Sequence, residues 1–162
     1  MTKVILVCGK ICAGKTTYAK KLAEEIGAVI LSVDEITLVL FGQHLGDKHD
    51  EMVEKTEKYL FGKAAEIISV GVNVILDWGF WTREERQYAV KYFSDLGIKS
   101  EWHYIDTTDR VWHKNLSKRN KAITENTENF YFIDDNIAEK FWNLFEEPAH
   151  REMDVWYQNN WT

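Results

Sequence analysis

Short unbroken apolar runs alternate along the chain with longer stretches that repeat at helical spacing. Val4-Ile5-Leu6-Val7-Cys8 has the length of a buried strand. Thr16 to Ile26 follows as an amphipathic helix and stops at Gly27. Val29 to Val33 predicts a second buried strand, with Asp34 and Glu35 where a helix would start. From Glu51 to Ser69, Met52, Val53, Thr56, Tyr59, Leu60, Ala64, Ile67 and Ile68 form a helical stripe ended by Gly71. Val72 to Asp77 predicts a third strand that ends in an acid. Thr82 and Glu85 form a capping-box pair that opens a helix through Leu96, stopped by Gly97. Ile98 to Ile105 reads as a fourth strand and Thr108 to Arg119 as a helix. Asn120 to Phe132 is polar and weakly patterned, Asp134 to Phe145 returns to helix, and Pro148 precedes a last strand, Met153 to Tyr157. Such alternation predicts a single α/β domain, residues 1–162, with a parallel sheet covered on both faces. A helical, substrate-binding insert is expected near 42–62 and a lid near 120–132.

The strand-to-helix junction at residues 9–16 reads Gly-Lys-Ile-Cys-Ala-Gly-Lys-Thr, which matches the phosphate-binding pattern G-x-x-x-x-G-K-[ST]. Glycines let such a loop fold tightly, so that its N–H groups point inward at phosphate oxygens. The expected ligand is ATP, held by Gly9, Lys10, Ile11, Cys12, Ala13, Gly14, Lys15, Thr16 and Thr17. Lys15 would reach the β- and γ-phosphates, and the Thr16 hydroxyl would hold Mg²⁺. The helix N-terminus adds a favourable dipole.

Open α/β sheets bind ligands beyond the carboxyl ends of their strands. Asp34, Asp77 and Asp106 fall at such ends. Asp77 is placed to hold Mg²⁺, directly or through water, although a strand-end acid can also be a simple cap. Asp34 could orient an acceptor hydroxyl and take its proton, or it could cap the next helix. Asp106 reads as a turn or cap. Lys118 and Arg119 close their helix where a lid would hinge, and a solvated basic face is the plainer alternative. Arg86 lies in the first turns after the Asp77 strand, towards the acceptor side, where a surface ion pair would also account for it. Trp78, Phe80 and Trp81 could line an acceptor pocket.

Composition narrows the classes. The chain is 45% hydrophobic and 28% charged, an ordinary globular balance. No apolar stretch approaches the ~18–20 residues of a membrane span. Met1-Thr2-Lys3 runs straight into the first strand, which leaves no room for a signal peptide. Both cysteines, Cys8 and Cys12, lie at the phosphate loop, and bridging them would distort it. Reduced thiols and a cytoplasmic location are therefore expected. A net charge of −6 argues against a long nucleic acid as the main partner. His44, Asp47, His49 and Asp50 lack the cysteines and order of a dedicated metal site. A GTPase would need an N-K-x-D base reader, and Asn120-Lys121-Ala122-Ile123 lacks the acid. An oligomeric motor needs a second helical domain, for which there is no length.

These residues resemble the P-loop small-molecule kinases of the group containing zeta toxins, chloramphenicol phosphotransferase and the polynucleotide 5′-kinases. The likeness is carried by Gly9 to Thr16, Ser32-Val33-Asp34, Asp77 to Arg86, and Arg119-Asn120, with Phe145 to Pro148 and Glu152 as a weaker fifth feature. The resemblance implies a five-stranded sheet in the order 2-3-1-4-5. It implies Asp34 as catalytic base, Arg86 in contact with phosphate or acceptor, and Arg119 in the lid helix. Three departures stand out. Thr37 occupies a position where zeta toxins and polynucleotide kinases usually carry arginine, and Asn115 one where many relatives do. The chain also stops soon after the last strand, which implies a shallow adenine pocket. The leading expectation is transfer of the ATP γ-phosphate to a hydroxyl of a small molecule by a monomer or homodimer. A kinase for a nucleotide or nucleic-acid end, and a nucleotide-binding switch with little catalysis, are the alternatives.

Overall fold

The computed structural model describes residues 1–43, 46–125 and 131–160. Five strands, β1 (Val4–Cys8), β2 (Ala28–Leu31), β3 (Asn73–Asp77), β4 (Ser100–Thr107) and β5 (Val155–Asn159), form one sheet. Their order is β2-β3-β1-β4-β5 and every pairing is parallel. The helices are α1 (Lys15–Ile26), α2 (Val33–Phe41), α3 (His49–Ser69), α4 (Arg83–Asp95), α5 (Asp109–Thr124) and α6 (Asp135–Leu144). This is the three-layer P-loop NTPase architecture anticipated above.

The period-two alternation of strand side chains separates two cores. Val4, Leu6 and Cys8 of β1 and Val74 and Leu76 of β3 pack on one face with Phe61 of α3 and Phe93 of α4. Ile5, Val7 and Ile75 face the other way, onto Ala19 of α1. A smaller cluster of Trp112, Leu116, Ile133 and Ala138 joins α5 to α6. Both faces of β1 are covered, so its five residues are all buried and read as one apolar run.

Several boundaries move for identifiable reasons. β2 ends at Leu31 because Ser32 begins the next helix: its Oγ accepts the Glu35 N–H at 3.3 Å. Val33 is thus helical, and Asp34 lies in the first turn of α2 rather than at its cap. α3 starts at His49, so residues 49–62 of the expected insert are the first part of a helix whose Leu60, Phe61 and Ala64 are buried. α5 runs on to Thr124, which puts Arg119 inside the helix and not at its end. Residues 44, 45 and 126–130 of the expected insert and lid lie outside the described residues. The Thr82–Glu85 capping box forms in both directions, with N–H···O distances of 3.2 and 3.1 Å. Among the described residues no helix is long and apolar enough to cross a membrane.

Candidate active site

The phosphate loop joins β1 to α1, and its carbonyls are pinned from outside. Trp112 Nε1 donates to Ile11 O at 2.6 Å, Asn115 Nδ2 to Cys12 O at 3.1 Å, and Asn159 Nδ2 to Ala13 O at 2.7 Å. Turning carbonyls outward leaves N–H groups for the concave side. Gly14 caps α1 without a side chain, so the first-turn N–H groups keep no capping acceptor. Gly14 has φ of +95°, and a Cβ there would lie 2.3 Å from Asn159 Nδ2. Only glycine fits that approach. Cys12 holds a left-handed φ of +58°, a strained conformation for a residue with a side chain.

Lys15 folds over the loop and donates to Gly9 O at 3.0 Å and Lys10 O at 2.7 Å. Burial lowers its pKa, and Asp77 is the strongest of the groups that oppose the shift. Thr16 Oγ1 donates to Asp77 Oδ2 at 2.8 Å, across 61 residues of sequence. Asp77 is only 6% exposed. Burial raises its carboxyl pKa, while the Thr16 hydrogen bond and Lys15 pull it back. A hydroxyl beside a carboxylate is an all-oxygen donor pair, which suits Mg²⁺ that takes its other ligands from phosphate and water. Among the described residues no group of three or more His, Cys, Asp or Glu could hold a metal by itself. The described members of the loop at 44–50 therefore assemble no such site.

A cavity of about 1430 Å³ opens in front of the loop. Ile11, Cys12, Gly14, Lys15, Thr16 and Thr17 line it. So do Asp34, Asp77 and Arg119, each from a different element. Ser32 performs the capping, and Asp34 is left facing the cavity. Gly9, Lys10 and Ala13 do not line it; the Lys10 ammonium lies 3.3 Å from the centre of the Trp142 ring. Asp106 accepts the Trp156 indole N–H at 3.2 Å, a structural bond.

Arg119 reaches the loop from the middle of α5. Its Nη1 lies 3.8 Å from Cys12 Sγ and its Nη2 donates to Tyr131 O at 3.1 Å. Beside it, Asn120 clamps Ile133: its Oδ1 accepts the Ile133 N–H at 3.2 Å and its Nδ2 donates to Ile133 O at 2.5 Å.

Arg86 is placed differently from the other expected site residues. It is 3% exposed and does not line the cavity. Its Nη1 donates to Phe80 O at 3.1 Å and Glu146 O at 2.9 Å, and its Nε lies 3.4 Å from Glu152 Oε1. Burial of a guanidinium demands such partners, and here they join the β3–α4 loop to the segment before β5. Trp78 and Phe80, largely buried and with rings stacked at 5.1 Å, do line the cavity. Trp81 stays partly open and meets Phe141 at 4.7 Å. Its ring crosses directly over Gly79, where a Cβ would sit 1.8 Å from Trp81 Nε1.

Sequence reasoning missed the residues that hold the loop from behind. Trp112 and Asn159 have no local signal, because their partners are 101 and 146 residues away. Asn115 stands out in the sequence only as an absent arginine. Burial pushes the Cys8 thiol up to about 12, which leaves it protonated and inert.

Residues 4–130 match a family described as an AAA domain (AAA_33). No curated protein matches the chain in sequence. Several solved structures share its fold. A sugar kinase from a Janibacter species superposes with a TM-score of 0.66 at 18% identity, covering 98% of this chain and 86% of its own. APS kinase CysC of Mycobacterium tuberculosis, in complex with AMPPNP and APS, gives 0.66 at 20% identity, covering 99% and 90%. A chain of the Pnkp1/Rnl/Hen1 RNA repair complex gives 0.72 at 20% identity, covering 88% of this chain and 43% of that one. With its phosphate loop, its sheet order and a match over residues 4–130, the chain belongs to the AAA domain family AAA_33 and has a P-loop kinase-like fold.

Proposed function

We propose that the protein is a cytoplasmic phosphotransferase that moves the γ-phosphate of ATP to a hydroxyl of a small molecule. The observation that carries this reading is one cavity shared by a phosphate loop, the Thr16–Asp77 pair and the carboxylate of Asp34, which has no side-chain hydrogen bond or ion pair among the described residues. Loop N–H groups and Lys15 would bind the β- and γ-phosphates. Thr16 and Asp77 would hold Mg²⁺, which supplies charge neutralisation between the phosphates. Asp34 would orient the acceptor hydroxyl and take its proton. The new bond is acceptor oxygen to γ-phosphorus; the bond broken is that phosphorus to the β,γ-bridging oxygen, and ADP leaves. Arg119, anchored at Cys12 and Tyr131, would balance charge on the migrating group. Arg86 would act only as a positioning residue, fixing the loop that carries Trp81.

The likenesses to a sugar kinase and to APS kinase support a small-molecule acceptor. The RNA repair complex supports the second reading, a nucleic-acid end as acceptor. Asp34→Asn tests the reading directly. It keeps the shape of the side chain and removes the basicity. Turnover in an ADP-release assay should fall by roughly 10²–10⁴ with ATP affinity unchanged. Full turnover in that variant would remove the base and the proposal with it.

A further inference from the structure

The cavity is divided by charge. Lys15 and Lys20 reach it from the phosphate loop and α1, Lys118 and Arg119 from α5, and Lys140 from α6. The wall built by α2, α3 and the start of α4 has the opposite sign. It presents Asp34, Glu54, Glu57 and Glu85. Among the described residues, His49 is the one lining side chain of these three helices that can carry positive charge. Its ring is already set against Tyr131, 5.6 Å away.

The carboxylates do not place the site; the phosphate loop does. They determine what that site tolerates. Two of them are partly committed. Glu54 pairs with Lys58 at 2.7 Å on the open surface, and Glu85 closes the α4 capping box. Glu57 is different. It is half-buried and has no hydrogen bond or ion pair among the described residues. Burial first, then Glu85, Glu54 and Asp34, push its carboxyl up to about 7, and every one of these causes acts in the same direction. A carboxylate held there has no cation beside it among the described residues. Trp81 and Phe141 line the same cavity and offer ring faces on which a cation can also rest.

An acceptor with a carboxylate, sulfate or phosphate would bring like charge to this wall and raise the energy of every group on it. An ammonium would supply the missing partner. We propose that the acceptor is a hydroxyl compound carrying a protonated amine, with Glu57 as the side chain that reads the amine while Asp34 faces the hydroxyl. This rests on the phosphotransferase reading above and narrows it, away from anionic sugars and nucleic-acid ends.

Glucosamine, glucose and glucuronate share one ring and differ by a unit of charge at each step, which makes them suitable probes. Their binding is measured by calorimetry and by the Trp81 indole N–H resonance, at neutral pH. The protein is first saturated with a non-hydrolysable ATP analogue and magnesium. Glucosamine should bind tightest and glucuronate weakest, with about tenfold or more between them. Glu57→Gln should bring the three to within about threefold, and Glu57→Asp should restore the order. Equal binding, a preference for glucuronate, no glucosamine binding, or an order that survives Glu57→Gln each overturns the proposal. Failure of the nucleotide analogue to bind in the first titration sinks the phosphotransferase reading itself. Nucleotide binding without an amine preference sinks only this inference.

Discussion

The Tyr131 hydroxyl donates to Thr37 Oγ1 at 2.9 Å, across 94 residues of sequence. Thr37 is fully buried and itself donates back to Val33 O at 3.0 Å. Tyr131 O meanwhile accepts from Arg119. One residue therefore ties the α5 arginine to the helix that carries Asp34. Tyr131→Phe should cost about 1 kcal/mol, the usual worth of one such bond. It should lower turnover while leaving ATP affinity within about twofold. Thermal melts and a steady-state split of kcat from KM check both parts; unchanged turnover would reduce the link to local packing.

Lys15 is the cation best placed to follow a γ-phosphate. Its present partners are two carbonyls of its own loop, Gly9 O and Lys10 O, so removing it should not unfold the protein. Lys15→Ala should lower activity by roughly 10²–10³. Normal ATP turnover in this variant would refute the assignment of the loop.

Arg86 should behave as a stability residue. Arg86→Ala would strand Phe80 O and Glu146 O in a site that is 3% exposed, at a cost of about 3 kcal/mol. Arg86→Lys should recover only part of this, because an ammonium cannot reproduce the planar fork. A contact with ATP or acceptor would show the reverse pattern, with lost turnover and an unchanged melting temperature.

Glu57 gives a pH dependence with a definite sign. Burial, then Glu85, Glu54 and Asp34, push its carboxyl up to about 7 in the folded protein, from the ordinary 4.5 of a glutamate. Between those two values the folded chain holds a proton that the unfolded chain has released, so stability falls as pH rises through that window. Glu57→Gln removes the effect. The melting temperature of the variant relative to the parent should rise from about pH 5 to about pH 7 and level off above it. A difference that shrinks over this range would contradict the burial of Glu57.

Much of the fold was legible because its signals are local. The β1 run, the Gly9-to-Thr16 motif and the Thr82–Glu85 box each specify geometry within a few residues. The sheet order came from the resemblance, since apolar periodicity does not say which strand lies beside which. Ser32 and Asp34 are equally good caps by residue type, and the structure uses Ser32, which accounts for both the early end of β2 and the carboxylate left in the cavity. The burial of Arg86 is hidden from the sequence for a related reason. A charged residue one turn into a helix beside a site points to function by position alone. The acceptors that bury it, Glu146 O and Glu152, arrive from 60 and 66 residues downstream. That Glu57 has no ion-pair partner among the described residues is equally invisible in the sequence, because it depends on which side chains α2 and α4 bring to α3.

The anchoring of Ala13 O by Asn159 has a consequence for how the protein is made. The motif emerges from the ribosome early, but the side chain that fixes its third carbonyl lies 146 residues later, on the last strand of the sheet. Contacts of such long sequence separation form only once the intervening chain has been organised. A nascent chain that stops short of β5 therefore carries the whole motif without the finished cradle. On the phosphotransferase reading proposed above, nucleotide capture is a late event in biogenesis, and nucleotide affinity would report whether the final strand has docked.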